Sequence, residues 1–79
     1  MARFFFHFRD DREFVEDLEG QDVADLATAH ERGVAALREI LAGDVANGLL
    51  NMSSAIDIEN EHHAAVASIE CSEVLKVRS

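Results

Sequence analysis

Phe4, Phe6 and Phe8 fall on one face of a period-two alternation and Arg3, Phe5, His7 and Arg9 on the other, the pattern of a β-strand. The polar break Asp10-Asp11-Arg12 and a second apolar run, Phe14-Val15, add a turn and a return strand, so a β-hairpin opens the chain. The preferred register sets Arg9 opposite Glu13, Phe8 opposite Phe14, Phe4 opposite Leu18 and Arg3 opposite Glu19. It puts Glu16 on the core side opposite Phe6, an inward charge of the kind that discourages association of sheet edges.

The period then changes. Beyond a connection over Gly20 to Ala24, small or apolar residues recur at Leu26, Ala29, Gly33, Leu37, Ile40 and Leu41, while Thr28, Glu31, Arg32, Arg38 and Glu39 fill the opposite arc. This predicts an amphipathic helix from about Leu26 to about Ala46, capped by Asp25 in preference to Asp22 and closed by Asn47-Gly48 unless Gly43 ends it one turn earlier. A glycine at position 33 costs about 1 kcal/mol relative to alanine and implies a helix backbone lying close to the sheet. Ile56 and Ile58, a turn over Asn60 to His63, and the alternation Ala65, Ala67, Ile69, Cys71 predict a second hairpin. Val74, Leu75 and Val77 are expected to close one edge of the core. The fold class is α+β, in the order ββαββ: a four-stranded antiparallel sheet with one long helix packed on Phe4, Phe6, Phe8, Ile56 and Ile58, residues 1–79 forming a single small domain.

A chain of 79 residues buries only about 60–65% of the surface it exposes when unfolded, and its lone cysteine excludes an internal disulfide. Oligomerisation is the remaining common source of extra burial. Sixteen acidic residues against seven basic ones give a net charge of −9, which repels nucleic-acid phosphates and favours a basic or apolar partner. No apolar run reaches the length of a signal-peptide core or a membrane span, so the expectation is a cytoplasmic protein without a membrane partner.

Candidate chemistry is sparse. His62 and His63, with Glu61, Glu59 and Asp57 nearby, form the one grouping that suits zinc, nickel or copper. Adjacent residues of a tight turn rarely aim at one ion, so His62, His63 and Glu61 read as a solvated turn and no metal is assigned. Cys71 would need His7, His62 or His63 close by to act as a nucleophile, and its place in the alternation puts it in the core instead. His7 and His30 read as half-buried, hydrogen-bonded side chains. With no catalytic grouping and no cofactor motif, the chain reads as a non-enzyme. The face away from the helix is expected to expose Phe5, His7, Val15, Ala64 and Val66 within a rim of Arg3, Arg9, Glu13, Asp17, Asp57 and Glu59, the anatomy of an interface for a C2 homodimer or another protein.

The run Met1-Ala2-Arg3-Phe4-Phe5-Phe6-His7-Phe8-Arg9-Asp10, then Asp17-Leu18-Glu19-Gly20, then Asp25-Leu26 leading into an alanine-rich helix, resembles a family of small bacterial proteins of unknown function. Its members open with an Arg-aromatic-Phe-Phe-His strand and an Arg-Asp-Gly turn. The chain departs from them at Asp11 and His63, where glycine is common, and at Cys71, where an aromatic is common. The resemblance implies the fold order and brings no activity, cofactor or catalytic residue. In element order alone the chain is also similar to HicB-like antitoxin domains. The function expected is a protein-interaction or regulatory module acting through its sheet face or edge. The alternatives are an antitoxin-like acidic partner of a basic protein, or a small metal- or ligand-binding protein using the His62-His63 turn.

Overall fold

The computed structural model describes residues 1–75, so the expectation for Val77 lies outside the described residues. The elements are β1 (Ala2–Arg9), β2 (Phe14–Val15), β3 (Gln21–Val23), α1 (Leu26–Ala46), β4 (Ala55–Glu59), β5 (Ala65–Glu70) and α2 (Cys71–Val74). The sheet runs β2-β1-β4-β5, with β3 also paired to β1, and all pairings are antiparallel. The class is α+β with one long helix, as the periodicities imply. Two departures refine the order: the first return strand shrinks to β2 and a fifth strand, β3, forms over Gln21–Val23 where a connection was expected, and Cys71 starts a single helical turn instead of ending β5.

The helix begins and ends where its capping residues dictate. Asp25 accepts a hydrogen bond from the Thr28 N–H at 2.8 Å, satisfying one of the free donors of the first turn. At the other end the Leu49 N–H donates to Asp44 O and the Gly48 N–H to Val45 O, the paired bonds of a Schellman closure. Ala29, Gly33, Leu37 and Leu41 form its buried stripe. They pack on Phe4 of β1, Ile56 and Ile58 of β4 and Ile69 of β5, with Val23, Cys71 and Val74 completing the core. Phe6 and Phe8 share this face but remain only partly buried, a correction to the expectation that all three phenylalanines are covered.

The register of the first hairpin is shifted by one residue from the one expected: Phe8 pairs with Val15 and Arg9 with Phe14. The cause is the turn. Asp10 Oδ1 accepts from the N–H groups of Arg12 and Glu13, and the Asp10 N–H donates to Glu13 O, so Asp11 and Arg12 alone make the loop. Because side chains alternate, this single step moves Val15 to the helix side beside Phe8 and Phe14 to the other side.

From Phe8 to Phe4 β1 advances four residues while the return strand advances six, from Val15 to Gln21, so two residues are surplus. They are absorbed between β2 and β3, where the ladder is broken. Gly20, with φ of 71°, ends this excursion; a Cβ there would lie 2.8 Å from Phe4 O.

At Gly33 the spacing argument holds. A Cβ would press into Ile69 Cδ1 and lie 3.2 Å from Ile58 Cδ1, and both isoleucines are fully buried. Gly33→Ala therefore lowers stability by about 1 kcal/mol in denaturant titrations, overpacking outweighing the gain in helix propensity. Adding the same change to Ile69→Val, which lacks the obstructing methyl, is neutral or stabilising. Stabilisation by Gly33→Ala in the wild-type background would contradict this packing.

Candidate functional site

The sheet face away from α1 is where sequence placed an exposed apolar centre, and it is closed. Phe5 is 8% exposed and His7 5%. The His63 ring stacks on Phe5 with centroids 4.7 Å apart, and Phe14, brought to this side by the register shift, lies 5.5 Å from His7. Val15 is 51% exposed but belongs to the helix side, opposite Phe8. Val66 also departs from the expected face. The β4–β5 ladder goes from Ile58–Ala67 to Glu59–Ala65, so Val66 is the extra residue of a bulge and packs, partly buried, against the core. The four residues expected to make a self-association surface, Phe5, His7, Val15 and Val66, therefore do not share an exposed face.

A polar network occupies this face instead. His7 Nε2 lies 2.9 Å from Glu59 Oε1, and His7 Nδ1 accepts the Asp17 N–H at 3.0 Å. An acceptor at Nδ1 fixes the ring proton on Nε2, where it donates to Glu59. Asp17 is the hub of the looped-out segment: Oδ2 accepts from the Phe6 N–H, and Oδ1 from the N–H groups of Gly20 and Glu19. Burial raises the Asp17 pKa, but the three backbone donors outweigh it and the carboxyl is held below its ordinary value. Glu59 is also held low, chiefly by the His7 hydrogen bond, which outweighs burial with help from His63. Beside them Arg9 Nε donates to Asp57 Oδ2 at 2.8 Å, and Ser68 Oγ donates to Asp57 Oδ1 at 2.9 Å.

The geometry of this network disfavours metal chemistry. A metal-bound histidine donates its second ring N–H to an acceptor. His7 does the reverse, accepting a backbone N–H there. His62 is exposed, with Nε2 3.9 Å from Glu61 Oε1, while its neighbour His63 turns away toward Glu59 and Phe5. His62, His63 and Glu61 are thus not brought together, and among the described residues no group of three or more His, Cys, Asp or Glu side chains is placed to hold a metal ion. Cys71 is buried, its Sγ donating to Ser54 O at 3.2 Å, and burial pushes the thiol pKa up, away from a reactive thiolate. His30 lies on the margin of the helix with Nε2 3.8 Å from Glu73.

Accessible apolar surface lies on the helix side. Phe6, Phe8, Val15 and Ile56 face Ala36 and Ile40 of α1 across a groove of about 420 Å³, completed by Glu16, Asp17 and Gln21. Sequence reading missed it because the groove exists only where the return strand loops out and uncovers the edge of Phe6. Leu18, 78% exposed, belongs to the same looped-out segment, while Phe14, 57% exposed, lies on the opposite face beside His7. A second apolar groove of about 590 Å³, between Leu41, Val45, Leu50 and Val74, ends at Leu75, where the described residues stop. Among the described residues no helix is long and apolar enough to cross a membrane.

Residues 3–72 match the sequence model of a protein family described as Domain of unknown function (DUF6894). No curated protein and no solved structure matches the chain.

Two consequences can be measured. Asp17 and Glu59 ionise more readily in the folded chain than at their ordinary values of 3.8 and 4.5, so their stabilisation is complete above those values and is lost as pH falls through the lower folded ones. Asp17→Asn presents an amide to backbone donors and lowers stability at neutral pH by about 1–3 kcal/mol. Its stability curve converges on that of the wild type in acid, whereas parallel curves would refute the role given to Asp17. His63 has φ of 60°, a left-handed conformation that costs an L-residue roughly 1–2 kcal/mol. His63→Gly should therefore be more stable than His63→Ala by about 1 kcal/mol, since both lose the ring and only alanine keeps the strain; equal stabilities would contradict the turn geometry.

Proposed function

The chain belongs to that family, whose description assigns no activity, and we propose from its surface that it is a non-catalytic protein-binding module docking through the α1–β2 groove. The observation that carries this reading is the incomplete cover of Phe6 and Phe8: the central strand of a small core leaves two phenylalanines half-buried beside the exposed Val15 and the partly buried Ile40. The reading keeps the sheet edge as the docking element and moves it away from the face that Phe5 and His7 close. It is also compatible with an acidic module that masks a basic protein, given the net charge of −9. A single buried thiol suits a reducing compartment, and we place the protein in the cytoplasm.

Site-specific photocrosslinking in the cells that make the protein tests the reading. A photoreactive phenylalanine analogue in place of Val15 should trap a discrete protein adduct, while the same analogue at Ala27, on the exposed arc of α1, should not. Equal trapping at both positions, or none at either, would refute docking through the groove.

A further inference from the structure

We infer that the occupant of this groove is an amphipathic, cationic helix of a partner protein, an inference that rests on the groove being the docking surface. The edge offers little for an added strand. β2 has two residues and β3 three, and between them the Phe6 N–H is already taken by Asp17. Recognition therefore falls to side chains, and a helix places apolar groups into a groove at i, i+3 and i+4 spacing. Ala36 and Ile40, four residues apart on α1, make the matching wall, with Phe8 and Val15 opposite.

The charge of the occupant follows from what borders the groove. Glu13 and Glu16 flank the exposed pair Phe14-Val15 and have no ion pair among the described residues. One helical turn beyond Ile40, Asp44 lines the next concavity together with Asp10 and Asp11, against the single cation Arg12. Arg32 donates to Oε1 of the groove's Gln21 at 3.0 Å and adds a second cation, so two cations stand against Glu13, Glu16, Asp10, Asp11 and Asp44. An apolar floor with this acidic excess attracts lysine and arginine beside the apolar stripe and repels acidic helices. A second copy of the chain would instead bring another net −9 and its own Glu16 to the site.

The test uses a synthetic Leu/Lys peptide of about four helical turns with its leucines in one stripe, titrated into the isotope-labelled full chain and followed by amide NMR shifts. Binding should move the amides of Phe6, Phe8, Val15, Ala36 and Ile40 and make the peptide helical. Ala36→Arg should weaken it at least about tenfold, and Glu16→Lys, on an exposed segment, severalfold. A peptide of the same composition with the stripe scrambled should bind far less. Equal binding of the scrambled peptide, or shifts spread over acidic surface elsewhere, would overturn the inference in favour of plain charge attraction. Failure of the Leu/Lys peptide to bind, together with a crosslink through position 15, would overturn the cationic helix while leaving the docking surface standing. Failure of both would remove both.

Discussion

On the side away from β4, the backbone N–H of Phe6 has no strand to meet, and the Asp17 carboxylate that accepts it determines much of the molecule's shape. A buried backbone donor without a partner costs free energy on the scale of a whole hydrogen bond, so a break in the ladder at Phe6 requires a substitute. Asp17 supplies one and gathers two further N–H groups from its own segment. Its own N–H reaches across to His7 Nδ1. One residue thereby tolerates the two-residue surplus of the return strand and ties it to the face of the sheet.

The two faces of the sheet diverge from that point. On one, His7 is held between Asp17 and Glu59 while His63 and Phe14 cover the aromatic centre, so groups that look reactive in sequence are saturated by the chain itself. On the other, the looped-out segment fails to complete the cover that α1 begins, and the apolar groove between α1 and β2 results. Chemistry is spent inward and hydrophobic surface is left outward.

The helix was legible in the sequence, its ends approximately: of the two candidate caps Asp25 is used and not Asp22, the closure falls at Asn47-Gly48 and not at Gly43, and the close approach at Gly33 follows from local chemistry. The sheet was legible only in outline, because strand faces depend on register and register depended on the side chain of Asp10, whose two backbone acceptances shorten the loop by one residue. That step carried Val15 and Phe14 to the wrong faces. The β5 bulge did the same to Val66, where alanines on both sides give periodicity little to distinguish. The candidate site was accordingly read on the closed face. The signal available was Asp17 itself, an acidic residue inside the expected return strand, where its type argues for a break.

The central claim is that Asp17 joins the looped-out segment to His7, closing one face and leaving the groove on the other. The tautomer of His7 reports it most directly. Long-range proton–nitrogen NMR correlations of the imidazole at neutral pH should show the proton on Nε2 and an unprotonated Nδ1, as required by a ring that accepts the Asp17 N–H and donates to Glu59. A proton on Nδ1 would mean that Asp17 does not donate there, and the account of the fold's two faces would be wrong.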